Sequence, residues 1–143
     1  MICDKKSISI KFTNKQKGKL KRVFADEDKI YRVMKNLLGN SHKFTDNGGK
    51  IVVSMDYFKK DKKFLQIQVK DNGIGIPKEG LDKIFEKFSK VDNHLQRDYE
   101  GTGLGLSIVR GIIKKLGGKI WVESKEGKGS TFTFTLPVID LSC

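Results

Sequence analysis

Hydrophobic and polar residues recur along the chain with two different periods, and these predict a mixture of strands and helices. Residues 7–12 alternate with a period of two, which indicates a half-buried strand. Between Ile30 and Phe44 the apolar residues recur every three or four positions, which indicates a helix from about Asp26 to Phe44 with Asp26 as its N-cap. The other predicted elements are strands 50–57 and 64–71, a short helix with Leu81, Ile84, Phe85 and Phe88, a helix with Leu106, Val109, Ile112, Ile113 and Leu116, and strands 119–124 and 130–138.

The order of these elements predicts an α/β two-layer sandwich. Strands joined by short turns form hairpins, so the sheet is expected to be mixed, mainly antiparallel and five-stranded, with three amphipathic helices on one face. Residues 89–100 contain few apolar side chains and are predicted to form a long loop that acts as a lid. We expect a single domain over residues 7–138, with tails at 1–6 and 139–143.

Composition excludes several classes of protein. With 37% hydrophobic and 32% charged residues in 143 positions, the chain is expected to be soluble and globular. No apolar run approaches the roughly 20 residues of a membrane helix, and residues 1–9 lack the apolar stretch of a signal peptide. Cys3 and Cys143 match no metal-ligand spacing and are expected to be free thiols in a reducing, cytoplasmic compartment.

Charge is less decisive, because 29 Lys and Arg against 17 Asp and Glu give a formal net charge of +12 spread along the chain. Such a charge suits nucleic acid, anionic lipid, a phosphorylated ligand or an acidic partner, and it equally suits a solvated lysine-rich surface. No zinc-finger or RNA-recognition signature is present, so nucleic acid is the least favoured of these ligands.

The first candidate site lies on the predicted long helix. Asn36, Asn40 and Lys43 are spaced i, i+4, i+7 and therefore share one stripe of its surface. Amide oxygens suit a hard cation such as Mg²⁺, and an ammonium group suits phosphate. An ordinary polar helix face shows the same pattern, so the stripe alone does not decide between the two interpretations.

Two glycine-rich segments complete the candidate chemistry. In the segment 71–75, a carboxylate at a strand end precedes two glycines, where backbone can approach a flat ligand closely. A carboxylate only accepts hydrogen bonds, so Asp71 would favour the amine of adenine over the carbonyl oxygen of guanine, although Asp-Asn-Gly is also a common turn. The segment 101–105 precedes a helix, whose first backbone N–H groups suit an anion, and it matches neither the dinucleotide fingerprint nor a Walker A loop.

In combination and in this order, the segments resemble the sensor histidine kinases. Residues 36–45 are similar to the N box of that family, 71–75 to its first glycine box, 84–88 to its F box, 101–105 to its second glycine box and 129–132 to its closing strand. The resemblance extends over residues 7–138. It implies the fold shared with type II topoisomerases, the 90-kDa heat-shock chaperones and MutL-type repair proteins, with ATP and Mg²⁺ bound beneath the lid.

The resemblance also implies roles for individual residues. Asp71 would bind the adenine amine, supported by Gly75 and Thr131 through backbone or water. Asn40 would be the main magnesium ligand, and Asn36 and Lys43 would act in catalysis near the phosphates. The implied ATP-binding residues are Asn36, Asn40, Lys43, Asp71, Gly73, Gly75, Lys90, Arg97, Gly101, Thr102, Gly103, Leu104, Gly105 and Thr131. Phe85 and Phe88 would pack at the base of the lid or simply in the core, and Ser41 is not expected to matter.

Asn36 separates two activities within this superfamily. The ATP-hydrolysing relatives resemble one another in having a glutamate there as a base for water, and an amide cannot act as that base. The resemblance therefore implies transfer of the ATP γ-phosphate to a histidine. Neither His42 nor His94 has the context of a phosphoacceptor, so the acceptor is expected on a separate dimerisation domain, with a response regulator downstream. No nucleic acid or membrane contact is expected. An ATP hydrolase and a non-catalytic nucleotide-sensing module remain the alternatives.

Overall fold

The computed structural model describes residues 8–14, 23, 25–81, 84–85 and 105–139. Its elements are strand β1 (Ser9–Asn14), helix α1 (Glu27–Phe44), strands β2 (Lys50–Tyr57) and β3 (Phe64–Asp71), a 3-10 turn (Lys78–Gly80), helix α2 (Gly105–Lys115), and strands β4 (Ile120–Lys125) and β5 (Gly129–Pro137). The predicted strands and the two longer helices are thus confirmed, with ends that shift by one or two residues.

The first helix begins where its capping residue predicts. The Asp26 carboxylate accepts hydrogen bonds from the backbone N–H groups of Asp28 (2.9 Å) and Lys29 (3.4 Å). Such a cap satisfies backbone donors that have no partner inside the helix and stabilises it by about 1 kcal/mol. Val33 and Leu37 are fully buried on the sheet-facing side of α1, and Tyr31 is exposed on the other side. The helical period therefore translates directly into one buried face.

The five strands form a single mixed sheet in the order β1-β2-β3-β5-β4. The pair β1–β2 is parallel, since α1 carries the chain from the end of one strand back to the start of the next, and the other three pairs are antiparallel. The register aligns Asp71, at the end of β3, with Ser130 on β5. Both helices pack on one face of this sheet and against each other.

The core lies between that sheet face and the two helices. Its buried apolar members are Val33, Leu37, Ile51, Val53, Leu65, Ile67, Val69, Ile76, Leu106, Val109, Ile112, Ile113, Phe132, Phe134 and Leu136. Phe85 packs against this core, with its ring edge-to-face on Phe132 at 6.2 Å between centroids. Phe85 thus contacts the core at its margin, and Phe88 lies outside the described residues.

The expected layer of three helices is not confirmed. Within the described residues, two α-helices and the 3-10 turn cover the sheet. Leu81, Ile84 and Phe85, predicted on a short helix, lie in turns, and the rest of that segment and the predicted lid at 89–100 fall outside the described residues. None of the described helices is long and apolar enough to cross a membrane.

Candidate functional site

A buried carboxylate closes strand β3 beside the carboxyl end of α1. Asp71 is 4% exposed, and its Oδ1 accepts a hydrogen bond of 2.9 Å from the backbone N–H of Gly73. Burial raises the pKa of Asp71, while hydrogen bonds from the backbone of Gly73 and Ser130, together with the nearby Ser41 side chain, oppose that rise in pKa. An acceptor that retains unused capacity in a dry site is suited to bind the N–H groups of a ligand.

The loop after Asp71 lies so close to α1 that it needs a glycine. A Cβ on Gly73 would lie 2.1 Å from the carbonyl oxygen of Phe44, which is the last residue of α1. The same carbonyl accepts a hydrogen bond of 3.0 Å from the N–H of Ile74. This close approach joins the end of β3 to the end of α1 and brings the Asp71 carboxylate next to the helix.

On its other side the same loop contacts the turn between β4 and β5. Gly75 has a φ of +76°, and a Cβ there would lie 2.3 Å from the carbonyl oxygen of Lys125. The N–H of Gly127 donates to the carbonyl of Ile74 at 2.6 Å. Gly129 has a φ of +117° and abuts the Asp71 backbone, where a Cβ would meet its carbonyl oxygen at 2.1 Å. Glycines from two segments therefore enclose Asp71.

The predicted polar stripe lies on the second half of α1, whose last residue, Phe44, contacts the loop after Asp71. Asn40 is buried at 5% exposure, and Asn36 and Lys43 are half-buried one turn before it and one turn after it. Ser41, the next residue along the helix, is 1% exposed and helps to lower the pKa of Asp71, although its hydroxyl has no hydrogen bond of ordinary geometry within the described residues. Ser41, which was not expected to matter, therefore lies next to the Asp71 carboxylate, on the same half of α1 as Asn40 and Lys43.

On β5 the residue directly opposite Asp71 is Ser130. Ser130 is the register partner of Asp71, is 7% exposed, and contacts the carboxyl group through its backbone. Thr131 pairs with Lys70, and because side chains alternate along a strand its side chain lies on the opposite sheet face. The sequence reasoning missed Ser130. The signal was present, since Ser130 has the same parity as the inward-facing Phe132 and Phe134.

The remaining predicted residues divide into two groups. Gly105 is half-buried at the start of α2, whose first turn carries no acidic side chain that would oppose an anion. The others lie outside the described residues: Lys90, Arg97, Gly101, Thr102, Gly103 and Leu104. No group of three or more His, Cys, Asp or Glu side chains that could hold a metal occurs in the described ranges.

Comparison with known proteins identifies the family of this chain. Residues 25–140 match the family described as histidine kinase-, DNA gyrase B-, and HSP90-like ATPase. The sensor histidine kinase WalK of Bacillus subtilis is 46% identical over 112 residues, which are 78% of this chain and 18% of WalK. The chain therefore spans less than a fifth of that relative.

Solved structures agree with the sequence match. The catalytic domain of histidine kinase ThkA superposes with a TM-score of 0.76 at 35% identity, over 95% of this chain and 82% of that chain. Full-length ShkA in complex with AMPPNP gives a TM-score of 0.80 at 27% identity, over 99% of this chain and 28% of that one. ThkA in complex with the response regulator protein TrrA gives a TM-score of 0.72 at 32% identity, over 96% of this chain and 36% of that chain. The chain belongs to the histidine kinase-, gyrase B- and HSP90-like ATPase family and is homologous to the catalytic domains of sensor histidine kinases.

Proposed function

We propose that this chain is the ATP-binding catalytic domain of a two-component sensor histidine kinase, which transfers the γ-phosphate of ATP to a histidine on a separate dimerisation domain. The observation that carries the proposal is the buried Asp71 carboxylate, which contacts Gly73, Gly129 and Ser130 and lies close to the end of α1. ShkA was solved with AMPPNP, an analogue of ATP, and the likeness of its fold to this chain supports the same class of ligand here.

Adenine recognition is assigned to the end of β3. Asp71 accepts from Gly73 at Oδ1, and because a carboxylate has about four acceptor positions, capacity remains for the exocyclic amine of the base. A carbonyl oxygen at the same position, as in guanine, would face a carboxylate with no proton between them. Gly73 and Gly75 let the backbone approach the plane of the base. We assign the supporting side-chain role to Ser130, with Thr131 contributing through its backbone alone.

Phosphate and magnesium binding is assigned to the stripe of α1. The donor chemistry fits Mg²⁺, because the amide oxygen of Asn40 is a hard, neutral ligand in a buried position, and the described residues offer no acidic cluster that would hold the ion without nucleotide. Asn40 would hold the ion, with Asn36 as a second ligand, and Lys43 would contact phosphate. When bound, the ion neutralises charge on the triphosphate. Lys90, Arg97 and the segment 101–105 remain predicted phosphate contacts.

The chemistry requires positioning more than a base. A neutral imidazole nitrogen of the acceptor histidine attacks the γ-phosphorus with its own lone pair, the bond to the β–γ bridging oxygen breaks, and ADP leaves. Asn36 cannot remove a proton from water, so it orients phosphate without promoting hydrolysis. Lys43 contributes positive charge where negative charge accumulates on the leaving oxygens.

The wider context of the domain is part of the same proposal. We propose one domain over residues 7–138, with residues 89–100 as the ATP lid. Relatives such as WalK are several times longer than this chain, and ThkA was solved in complex with a response regulator. A phosphoacceptor domain and a response regulator are therefore the expected partners, and the cytoplasm is the expected location.

The test is phosphoryl transfer in trans. The chain is incubated with γ-labelled ATP, Mg²⁺ and a separately expressed dimerisation domain of a sensor kinase, and the label is expected on that domain in an acid-labile, base-stable form. Phosphate release by the chain alone is measured in parallel. Rapid phosphate release without transfer would identify an ATP hydrolase, and ATP binding without either reaction would identify a nucleotide-sensing module.

A further inference from the structure

The hydroxyl group of Ser124 connects three segments that meet at the base-recognition site. Ser124 lies on β4, half-buried, and its Oγ accepts a hydrogen bond of 2.7 Å from the N–H of Ile76, in the loop that follows Asp71. The same oxygen lies 2.9 Å from the carbonyl oxygen of Gly129 and 2.8 Å from Oγ of Ser130. Its neighbours thus comprise one fixed donor, one fixed acceptor and one group that can be either.

Counting protons determines the direction of the third contact. A serine hydroxyl has one proton and two lone pairs. The carbonyl oxygen of Gly129 cannot donate, so Ser124 must give its only proton to that oxygen. The N–H of Ile76 takes one lone pair of Ser124, and the remaining lone pair can only receive the proton of Ser130. Ser130 is therefore the donor in the contact between the two hydroxyls.

This assignment fixes what Ser130 can offer to a ligand. Once its proton is directed at Ser124, only the lone pairs of Ser130 remain available for other groups. Ser130 is the register partner of Asp71, and on one sheet face such partners have Cβ atoms about 5 Å apart. The ionised carboxylate of Asp71 is also an acceptor without a proton to give. The two side chains together form an acceptor-only pair, which suits an amine or a water molecule that contributes two protons.

We propose that Ser124 is a positioning residue that fixes the polarity of the Ser130 hydroxyl and thereby strengthens discrimination of adenine from 6-oxopurines. This inference rests on the proposed function, since it assumes that the base lies at Asp71. Without Ser124, the Ser130 proton becomes free to bind a carbonyl oxygen, and the site would tolerate a base that carries oxygen in place of the 6-amine. Ser124 makes no contact with the ligand in this proposal and acts through Ser130.

The experiment compares ATP with ITP, which differs from ATP in carrying a carbonyl in place of the 6-amine. Affinities of the full chain for both nucleotides are measured by calorimetry with Mg²⁺. In Ser124→Ala, we expect the ratio of ITP to ATP dissociation constants to fall about five- to tenfold, which is the effect of one neutral hydrogen bond gained by the wrong base or lost by the right one. Ser124→Thr keeps the hydroxyl and should restore the ratio.

A double-mutant cycle separates this role from simple support of the fold. In a Ser130→Ala background, the additional change Ser124→Ala should leave the ratio unchanged within about twofold, because no hydroxyl remains to be oriented. Ser54→Ala, which removes a half-buried strand hydroxyl on β2, serves as the matched control and should leave the ratio at the wild-type value. If Ser124→Ala does not fold, Ser124→Cys keeps the size of the side chain with a weak donor and should lower the ratio in the same direction.

The possible outcomes point to different errors. Equal losses of affinity for ATP and ITP in Ser124→Ala would show that Ser124 only supports the loop, and would overturn the inference while leaving the proposed function intact. A wild-type chain that binds neither nucleotide would overturn both. Three results together would support the inference. The wild-type chain prefers ATP, Ser124→Ala reduces that preference, and the effect of Ser124→Ala disappears in the Ser130→Ala background.

Discussion

The substitution Asp71→Asn should weaken ATP binding and, at pH 7, raise the free energy of unfolding. The carboxylate is 4% exposed, and its Oδ1 accepts from the N–H of Gly73. An asparagine has nearly the same shape and keeps an oxygen for that hydrogen bond. Its second polar group, however, is an NH₂ that donates, where the wild-type side chain has an oxygen that accepts. The ligand amine would then meet a donor in place of an acceptor.

The magnitude of the loss in binding follows from two terms. A hydrogen bond to a charged group contributes about 1.5–3 kcal/mol, and a buried donor left without a partner costs about 1–3 kcal/mol. Their sum, about 2.5–6 kcal/mol, corresponds to a loss in ATP affinity of at least about 50-fold. The loss should appear in ATP and ADP alike, since both carry the same base.

Stability should change in the other direction. Burial raises the pKa of Asp71, so the folded chain holds a proton at this carboxyl more tightly than the unfolded chain does. The free energy of unfolding therefore falls as pH rises from the unfolded pKa, about 3.9, to the raised folded pKa, and above it the cost of the buried charge is constant. Asp71→Asn removes that cost. The variant should be more stable than wild type at pH 7 and equally stable at about pH 3, where both groups are neutral.

Calorimetric titration with ATP and Mg²⁺, and urea unfolding at the two pH values, measure these effects. Asp61→Asn is the matched control, because Asp61 is exposed before β3, at the end of the strand opposite to Asp71, and its side chain accepts from the N–H of Lys63, as an asparagine can. Unchanged ATP affinity in Asp71→Asn would refute the adenine assignment. Lower stability at pH 7 would refute the conclusion that burial of the charge dominates at this position.

Other substitutions test the loop geometry and the metal ligand. Gly73→Ala places a Cβ 2.1 Å from the Phe44 carbonyl oxygen and should lower the free energy of unfolding by about 2–3 kcal/mol. A Cβ on Gly39 of α1 would have nothing within 4 Å, so Gly39→Ala should raise the free energy of unfolding by up to about 1 kcal/mol. Urea unfolding of both variants measures the two changes. Gly127→Ala and Gly129→Ala both impose a strained φ, but only the Gly129 variant meets the Asp71 carbonyl oxygen, at 2.1 Å, so it alone should also weaken ATP binding. Equal affinities in those two variants would contradict the enclosure of Asp71 by Gly129. Asn40→Ala should abolish the increase in ATP affinity that Mg²⁺ gives over EDTA, and an unaltered Mg²⁺ dependence would assign the ion to other ligands.

The sequence by itself determined the local elements and provided several candidate site residues. The bounds of β2 and β3, the cap at Asp26 and the end of α2 at its glycines follow from periods and residue preferences that act within a few positions. Asp71 and the stripe of α1 could be predicted for the same reason, since a strand end and a helical repeat specify which way a side chain points. The order of the motifs indicated a resemblance to the sensor histidine kinases, and the comparisons confirmed the family.

Only the tertiary structure decided which of these groups meet. The parallel pairing of β1 with β2, and the insertion of β5 between β3 and β4, depend on contacts between distant residues that no local pattern encodes. That strand order sets Ser130 against Asp71 and brings Ser124 within hydrogen-bond reach of Ile76, and the packing of α1 buries Ser41 next to the same carboxylate. A sequence specifies which face of each element is buried, whereas neighbours across a sheet are set by the register of the whole fold. The residues that support Asp71 therefore became visible only once the sheet was assembled.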